Sequence, residues 1–133
     1  MIAQTALVAL VWVRLYVVRL REMSTRRIDP QRVADSRRAA GVLENVAAAD
    51  NFRNLFEVPV LFFAGCLAAA VADAVTPLLL AFAWAFVGLR AAHSFIHVTY
   101  NRVVHRFLVY VLGTLCVFAL WTTLAFSLLA RTS

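Results

Sequence analysis

Four apolar runs, each long enough to cross the hydrocarbon core of a bilayer, decide what this chain can fold into. A helix rising 1.5 Å per residue needs about 20 residues to cross about 30 Å of hydrocarbon. The segments Ile2 to Leu20, Phe52 to Ala72, Pro77 to Thr99 and Val104 to Ala130 meet that requirement. The remainder of the composition agrees, since 63% of the residues are hydrophobic, 15% are charged and the mean hydropathy is +0.81, values that suit a membrane protein and not a soluble domain. The sequence predicts an all-α membrane protein, a four-helix transmembrane bundle that forms a single unit over residues 1–133.

Charge sets the expected orientation. The formal charge of +6 comes entirely from arginine, because the chain has no lysine, and most of the arginines crowd between Arg14 and Arg53. They are not interleaved with aromatics as in a nucleic-acid patch, and their asymmetry reports topology. The only sizeable polar loop, Arg21 to Asp50, and the short turn at Tyr100-Asn101-Arg102 carry basic residues, whereas Asp73 to Pro77 carries none. The positive-inside bias then puts the loop and the turn in the cytoplasm and both termini outside. Met1-Ile2-Ala3-Gln4 has no basic n-region and the first apolar run ends in arginines, which predicts that this helix is kept in the mature protein. Cys66 and Cys116 fall inside apolar runs without CxxC spacing, so they read as buried apolar side chains. Trp12, Trp84 and Trp121 read as lipid-facing or interfacial.

Within the loop, Asp29-Pro30 predicts a helix N-cap followed by proline at the first position. No glycine or proline occurs from Val42 to Val58, which predicts a second helix that starts well before the membrane. Pro59 removes the donor for the carbonyl of Leu55 and crowds it, predicting a bend just past Glu57. Ala47 to Ala49, Ala68 to Ala70, Gly65, Gly88 and Gly113 are small residues that permit close helix packing in lipid.

Polar residues on the spans are where function is to be sought, because an unpaired charge in hydrocarbon costs kilocalories. Arg53 and Glu57 lie one helical turn apart, and Asp50, Asn54 and Glu57 form an overlapping row. On the third span Arg90 follows Leu78 after about 18 Å of rise, well inside the membrane. His93, His97 and Asn101 or Tyr100 continue its stripe. On the fourth span Arg102, His105, Arg106 and Tyr110 fall within one face, continued by Gly113 and Thr114. Three helices thus offer polar faces at matching depth, and burying them against each other is the least costly arrangement in lipid.

Taken singly, each of these residues has a plainer explanation. Glu57 against Arg90 or Arg106 is an ordinary buried ion pair, and a histidine near an interface is often only a packing residue. Taken together they set several arginines against one deep carboxylate, and the uncompensated positive pocket favours an anionic ligand or a thiolate. A metal site is not expected, since His93 and His97 have only Glu57 as a third ligand and the arginines repel a cation. The Arg21 to Arg38 run reads as a topogenic segment meeting anionic lipid heads.

At these residues the chain resembles the MAPEG family, the membrane-associated proteins of eicosanoid and glutathione metabolism, in a bacterial-type form. The motifs are Arg53-Asn54-x-x-Glu57 followed by proline, Arg90-x-x-His93, and Arg106 with Tyr110 one turn later. The resemblance implies a homotrimer in the bacterial inner membrane, with glutathione as co-substrate between adjacent subunits near the cytoplasmic side. It implies that Arg53, Asn54 and Glu57 anchor the tripeptide, that Arg90, His93 and His97 line the pocket, and that Arg106 stabilises the thiolate with Tyr110 beside it. The chain departs from the family's pattern in the tighter spacing of Glu57-Val58-Pro59 and from the eicosanoid-type pattern at three positions. Asp50 stands four residues before Asn54 where those members commonly have arginine, His97 stands where they often have tyrosine, and Phe107 follows Arg106 where prostaglandin synthases have serine. The leading expectation is a glutathione or other thiol transferase or peroxidase acting on apolar electrophiles or lipid hydroperoxides from the bilayer, with no nucleic-acid partner. A non-catalytic lipid-binding or scaffold protein is the alternative. A proton-coupled transporter using Glu57, His93 and His97 is a weaker third, because the arginine excess holds Glu57 ionised.

Overall fold

The computed structural model describes residues 1–132, and over these the chain is helical throughout its regular structure. The helices are α1 (Ile2–Thr25), α2 (Ser36–Val42), α3 (Ala47–Asn54), α4 (Val58–Val71), α5 (Pro77–Val98) and α6 (Val103–Thr132), with a 3₁₀ turn at Pro30–Val33. Four stretches are long and apolar enough to cross a membrane: α1, the α3 and α4 pair taken together, α5 and α6. This is an integral, multi-pass architecture, and the observed spans begin and end within a few residues of those expected, apart from an α1 that runs five residues further and a second span that begins five residues earlier, at Ala47.

The second span departs from expectation in an instructive way. A continuous helix from Val42 to Val58 does not form, and the expected bend past Glu57 is a full break that begins earlier, at Leu55. The first interruption follows from Glu22, whose carboxylate accepts the backbone N–H groups of Glu44 at 2.6 Å and Asn45 at 3.3 Å. Those amides are satisfied without a helix, and Leu43 is extended. The second interruption follows from Pro59, which occupies the first turn of α4, where its missing N–H leaves no bond unmade. Its ring cannot lie against the carbonyl of Leu55, so the helix stops and restarts. Because of the break, Arg53 and Glu57 do not share one helix face.

The cap expected at Asp29 is present, on a 3₁₀ turn and not on an α-helix, and Thr76 supplies one that was not singled out from the sequence. Asp29 accepts from the N–H of Gln31 at 2.9 Å ahead of Pro30, and Thr76 accepts from Leu79 at 3.2 Å ahead of Pro77. The α5–α6 pair has the most extensive packing, with α4 against α6 and α1 against α3 and α5. Between them Phe62, Leu79, Phe86, Val117, Leu120 and Leu124 form the core, and the rings of Phe62 and Phe86 stack at 4.7 Å. Gly65 is the point of closest approach, since a Cβ there would meet Leu120 Cδ2 at 2.7 Å and the Trp121 ring at 3.2 Å. Trp121 is therefore not simply lipid-facing: it is partly buried, and its indole N–H donates to the Leu61 carbonyl at 3.0 Å. Trp12 and Trp84 are exposed on the bundle surface, as expected of lipid-facing rings. Cys66 and Cys116 are free, half-buried and packed against the core.

The two ends of the bundle are built differently. At the turn joining α4 to α5, the guanidinium of Arg131 in the last turn of α6 donates to the carbonyls of Ala72 at 2.6 Å and Asp73 at 2.5 Å. At the opposite end α2, α3 and the loop pack around the tail of α1, and Arg14 donates to the Val98 carbonyl at the end of α5. Arg14 thus sits level with the terminus of α5, and the part of α1 beyond it extends past the spans.

Candidate functional site

At the break between α3 and α4 the carbonyls of Phe52 and Arg53 accept from Leu55 and Phe56, and that of Asn54, the last residue of α3, needs a donor from elsewhere. Arg90 answers this need. It is 1% exposed, and its guanidinium donates to the Asn54 carbonyl at 2.7 Å. A cation at a helix C-terminus meets both the unpaired carbonyl and the negative end of the helix dipole. The same guanidinium lies 5.8 Å over the ring of Tyr110 on α6, and Glu57 is near enough to act on it electrostatically. Arg90 thereby joins α3, α5 and α6 at one level.

Below Arg90 the stripe on α5 continues as expected. His93 is buried, with its ring 5.9 Å from Tyr110 and 5.7 Å from His97. His97 is also buried, and its Nε2 lies 3.1 Å from Arg106 Nη1. A guanidinium has no acceptor, so Nε2 must accept and the ring proton resides on Nδ1. Arg106 Nη1 donates as well to Asn101 Oδ1 at 2.8 Å, from a turn in which Asn101 adopts a left-handed conformation. Among the described residues Arg106 has no carboxylate at ion-pair distance. Both of its partners are neutral acceptors, so its charge is oriented without being cancelled.

Two participants were not singled out from the sequence. Asn51 is fully buried on α3, and its Oδ1 accepts from the Ser94 hydroxyl on α5 at 3.2 Å. The signal was present in the spacing, because Asn51 stands three residues before Asn54 and Ser94 four after Arg90. Among the described residues, the Nδ2 of Asn51, Nε of Arg90 and Nδ1 of both His93 and His97 are buried without a hydrogen-bond partner. Four unspent nitrogens around one cluster are polar capacity that a bound polar ligand would satisfy.

The structure does not bring every expected residue to this cluster. Arg53 lies on the other face of α3, 3.9 Å from Asp50, and lines a separate cavity against α1 and α2. Glu57 is exposed at the break, and Asn54 reaches the cluster through its main chain. Arg102 and His105 do not continue the face of Arg106 and Tyr110. They are exposed, and His105 Nδ1 lies 3.2 Å from the Tyr100 hydroxyl. Arg102 precedes the first residue of α6, so helical periodicity does not fix its direction. Among the described residues no group of three or more histidines, cysteines or carboxylates could hold a metal ion.

A buried arginine capping a broken helix, a histidine pair, and a second arginine held by neutral acceptors at the α5–α6 turn are thus assembled from three spans of one chain. No curated protein and no solved structure matches it. The family model described as the MAPEG family matches residues 1–126, nearly the entire sequence and every element of this cluster. The chain belongs to the MAPEG family.

Proposed function

We propose that the protein is a membrane-bound thiol transferase or peroxidase that binds glutathione, or a similar small thiol, at the α5–α6 end of the bundle and joins it to apolar electrophiles arriving from the bilayer. The observation that carries this reading is the state of Arg106, a guanidinium positioned by His97 and Asn101 with its charge uncompensated. A thiolate beside such a charge is favoured over the thiol, which raises the population of the nucleophile at neutral pH. Since His97 presents its lone pair to Arg106, the thiol proton leaves to water and not to that nitrogen. The sulfur then attacks the electrophilic carbon, which expels its leaving group as an anion, or the peroxide oxygen, which breaks the O–O bond to give a sulfenic acid and an alkoxide that takes a proton from water; a second thiol reduces the sulfenic acid to the disulfide with loss of water. Tyr110 and His93 wall the pocket, Arg90 holds α3 in place, and the buried nitrogens of Asn51 and His93 take polar groups of the thiol. Family membership supports glutathione-related chemistry at the membrane, and a homotrimer would allow Arg53, Asn54 and Glu57 to approach the thiol across a subunit boundary.

The test is the ultraviolet thiolate absorbance of glutathione bound to detergent-purified protein, together with turnover of a generic aromatic electrophile. Arg106→Lys keeps the charge and loses the planar fork, while Arg106→Ala loses both, so signal and turnover are expected to fall in that order. Loss of this charge-assisted contact is expected to slow turnover about thirtyfold to thousandfold, corresponding to about 2 to 4 kcal/mol of transition-state stabilisation. Wild-type thiolate signal and turnover in a folded Arg106→Ala protein would refute the assignment. No thiol binding to the wild type at all would favour the scaffold reading.

A further inference from the structure

The first turn of α1 borders a space that the thiol chemistry does not use. A cavity of about 640 Å³ lies between α4 and α5, walled by Phe62 and Cys66 on one side and by Leu79, Ala83 and Val87 on the other, with Met1, Ile2 and Ala3 as its floor. That volume falls within the range of ligand pockets, about 300 to 1,000 Å³. Val75, Leu80 and Trp84 also border it and are exposed, so it opens sideways toward lipid. Two contacts fix its depth. Arg14 meets Val98, and Ala3 and Val87, which face the cavity together, each lie eleven residues before that pair. α1 and α5 therefore run side by side in one direction, and the floor stands about 16 Å from the end of α5 at 1.5 Å per residue. Since α5 has 22 residues, the floor is near the middle of the span, and the cavity extends from there to the α4–α5 turn at Val75. His97, which holds Arg106, is ten residues further along α5 than Val87, about 15 Å away along the axis.

The floor is polar although the walls are not. No side chain caps the start of α1, so its first main-chain N–H groups lack a helical acceptor. Gln4, the next residue, is 0% exposed, and among the described residues neither its Nε2 nor its Oε1 has a partner. Side chains of a helix lean toward its N-terminus, which directs this amide back toward the cavity floor. A neighbouring subunit meets only the outside of the bundle and does not reach it. An amide left unpaired in hydrocarbon is costly, and this one needs a partner that both donates and accepts. An O–H group does both, whereas an ester carbonyl only accepts and a methylene chain does neither.

We propose that this cavity binds an acyl chain oxygenated along its length, with a hydroxyl or hydroperoxyl group at Gln4 and the start of α1 and the hydrocarbon along Phe62, Leu79 and Ala83. A lipid that enters from the α4–α5 turn keeps its headgroup at the surface and brings carbons well down its chain to the floor, so the oxygen recognised there is borne on the chain. The site is formed within a single subunit and lies too far from Arg106 to be the place of the reaction: it holds oxidised lipid. It stands on the cavity and on Gln4, whatever thiol Arg106 takes.

The experiment measures equilibrium binding of radiolabelled methyl ricinoleate, which carries a hydroxyl along its chain, and of methyl oleate, the same chain without it, to the protein in nanodiscs of saturated phosphatidylcholine, with empty nanodiscs subtracted. Saturable binding of methyl ricinoleate at one site per chain is expected, at least tenfold tighter than that of methyl oleate. Gln4→Leu keeps most of the volume and removes the amide, and is expected to bring the two affinities within twofold of each other. Ala83→Phe fills the cavity and is expected to weaken both at least tenfold. Methyl linoleate hydroperoxide is the third probe: tighter binding than methyl ricinoleate identifies a hydroperoxide as the occupant, and weaker binding identifies a hydroxylated chain. Helical circular dichroism and the thermal midpoint check that each variant is folded. Equal wild-type affinities for methyl ricinoleate and methyl oleate would overturn the proposal, as would a preference retained in Gln4→Leu, unchanged binding in folded Ala83→Phe, or no saturable binding of any probe to the wild type. Glutathione binding is measured on the same preparations and is expected to be unchanged by Gln4→Leu, so failure here and failure of the thiol assignment are distinguishable.

Discussion

At the residue scale, Arg90 and Arg106 divide between them what a row of intramembrane arginines suggests as one property. Arg90 is 1% exposed and spends a hydrogen bond on a main-chain carbonyl, which makes it a positioning residue for α3. Arg106 sits at the accessible end with neutral partners and retains its electrostatic reach. Replacing Arg90 by methionine keeps the length of the side chain but leaves the Asn54 carbonyl unpaired in a buried setting, and is expected to destabilise the protein by about 1 to 3 kcal/mol. A lowered thermal midpoint in detergent, by comparison with Arg106→Ala, would register it; equal midpoints would contradict the capping role. The stripe Arg90, His93, His97 was legible from spacing alone, because α5 is unbroken and its period holds. The direction of Arg53 was not, because the helix that carries it ends one residue later. Asn51 could have been found from its spacing, three residues before Asn54 and so on the same helix face, but its burial could not, because that depends on Ser94 of another helix.

At the scale of elements, the second span is the one whose course the sequence hides. Composition predicts an uninterrupted helix, since Val42 to Val58 has no conventional breaker. Both interruptions depend on groups elsewhere in the chain: Glu22 of α1 withdraws two amides near Glu44, and Pro59 acts on a carbonyl four residues back. Pro59→Ala restores the donor for the Leu55 carbonyl and removes the ring that crowds it, so the break at Leu55 to Glu57 is expected to shorten. Hydrogen exchange should then show new protection of the amides after Leu55. Protection unchanged from the wild type would show that the Arg90 cap on Asn54 holds the break without the proline. Glu22→Gln weakens the capping of Glu44 and Asn45, with faster exchange at those two amides expected and none at α5. Helix packing was more readable. Gly65 meets Leu120 and Trp121 at distances that admit no side chain, and Gly65→Ala is expected to cost about 1 to 3 kcal/mol by overpacking. Gly88 has nothing within 4 Å of a Cβ placed there, and Gly88→Ala should leave the thermal midpoint of a single subunit almost unmoved.

At the scale of the whole molecule, hydropathy specified the four spans and the arginine bias predicts their orientation. Reporter fusions at Gln31 and after Ser133, a residue outside those described, are expected to give opposite answers, with the loop in the cytoplasm and the C-terminus outside. A cytoplasmic answer at both positions would reject that orientation. Native mass spectrometry in mild detergent is expected to show three chains per particle, in keeping with the homotrimer implied by the family. A stable monomer that still binds glutathione through Arg106 would reject a pocket shared between subunits.

The ties that hold distant parts of the bundle have a common grammar. Arg14 donates to the carbonyl of Val98, Arg26 to that of Val42, Arg90 to that of Asn54, Trp121 to that of Leu61, and Arg131 to those of Ala72 and Asp73. In each the donor is a particular side chain, whereas the acceptor is a main-chain oxygen that any residue supplies. The inheritance of such a contact is one-sided. Drift at the accepting position leaves the bond intact, so no compensating change at the donor is selected, and paired substitutions in related sequences would carry almost no trace of these ties, unlike the side-chain pair of Ser94 and Asn51.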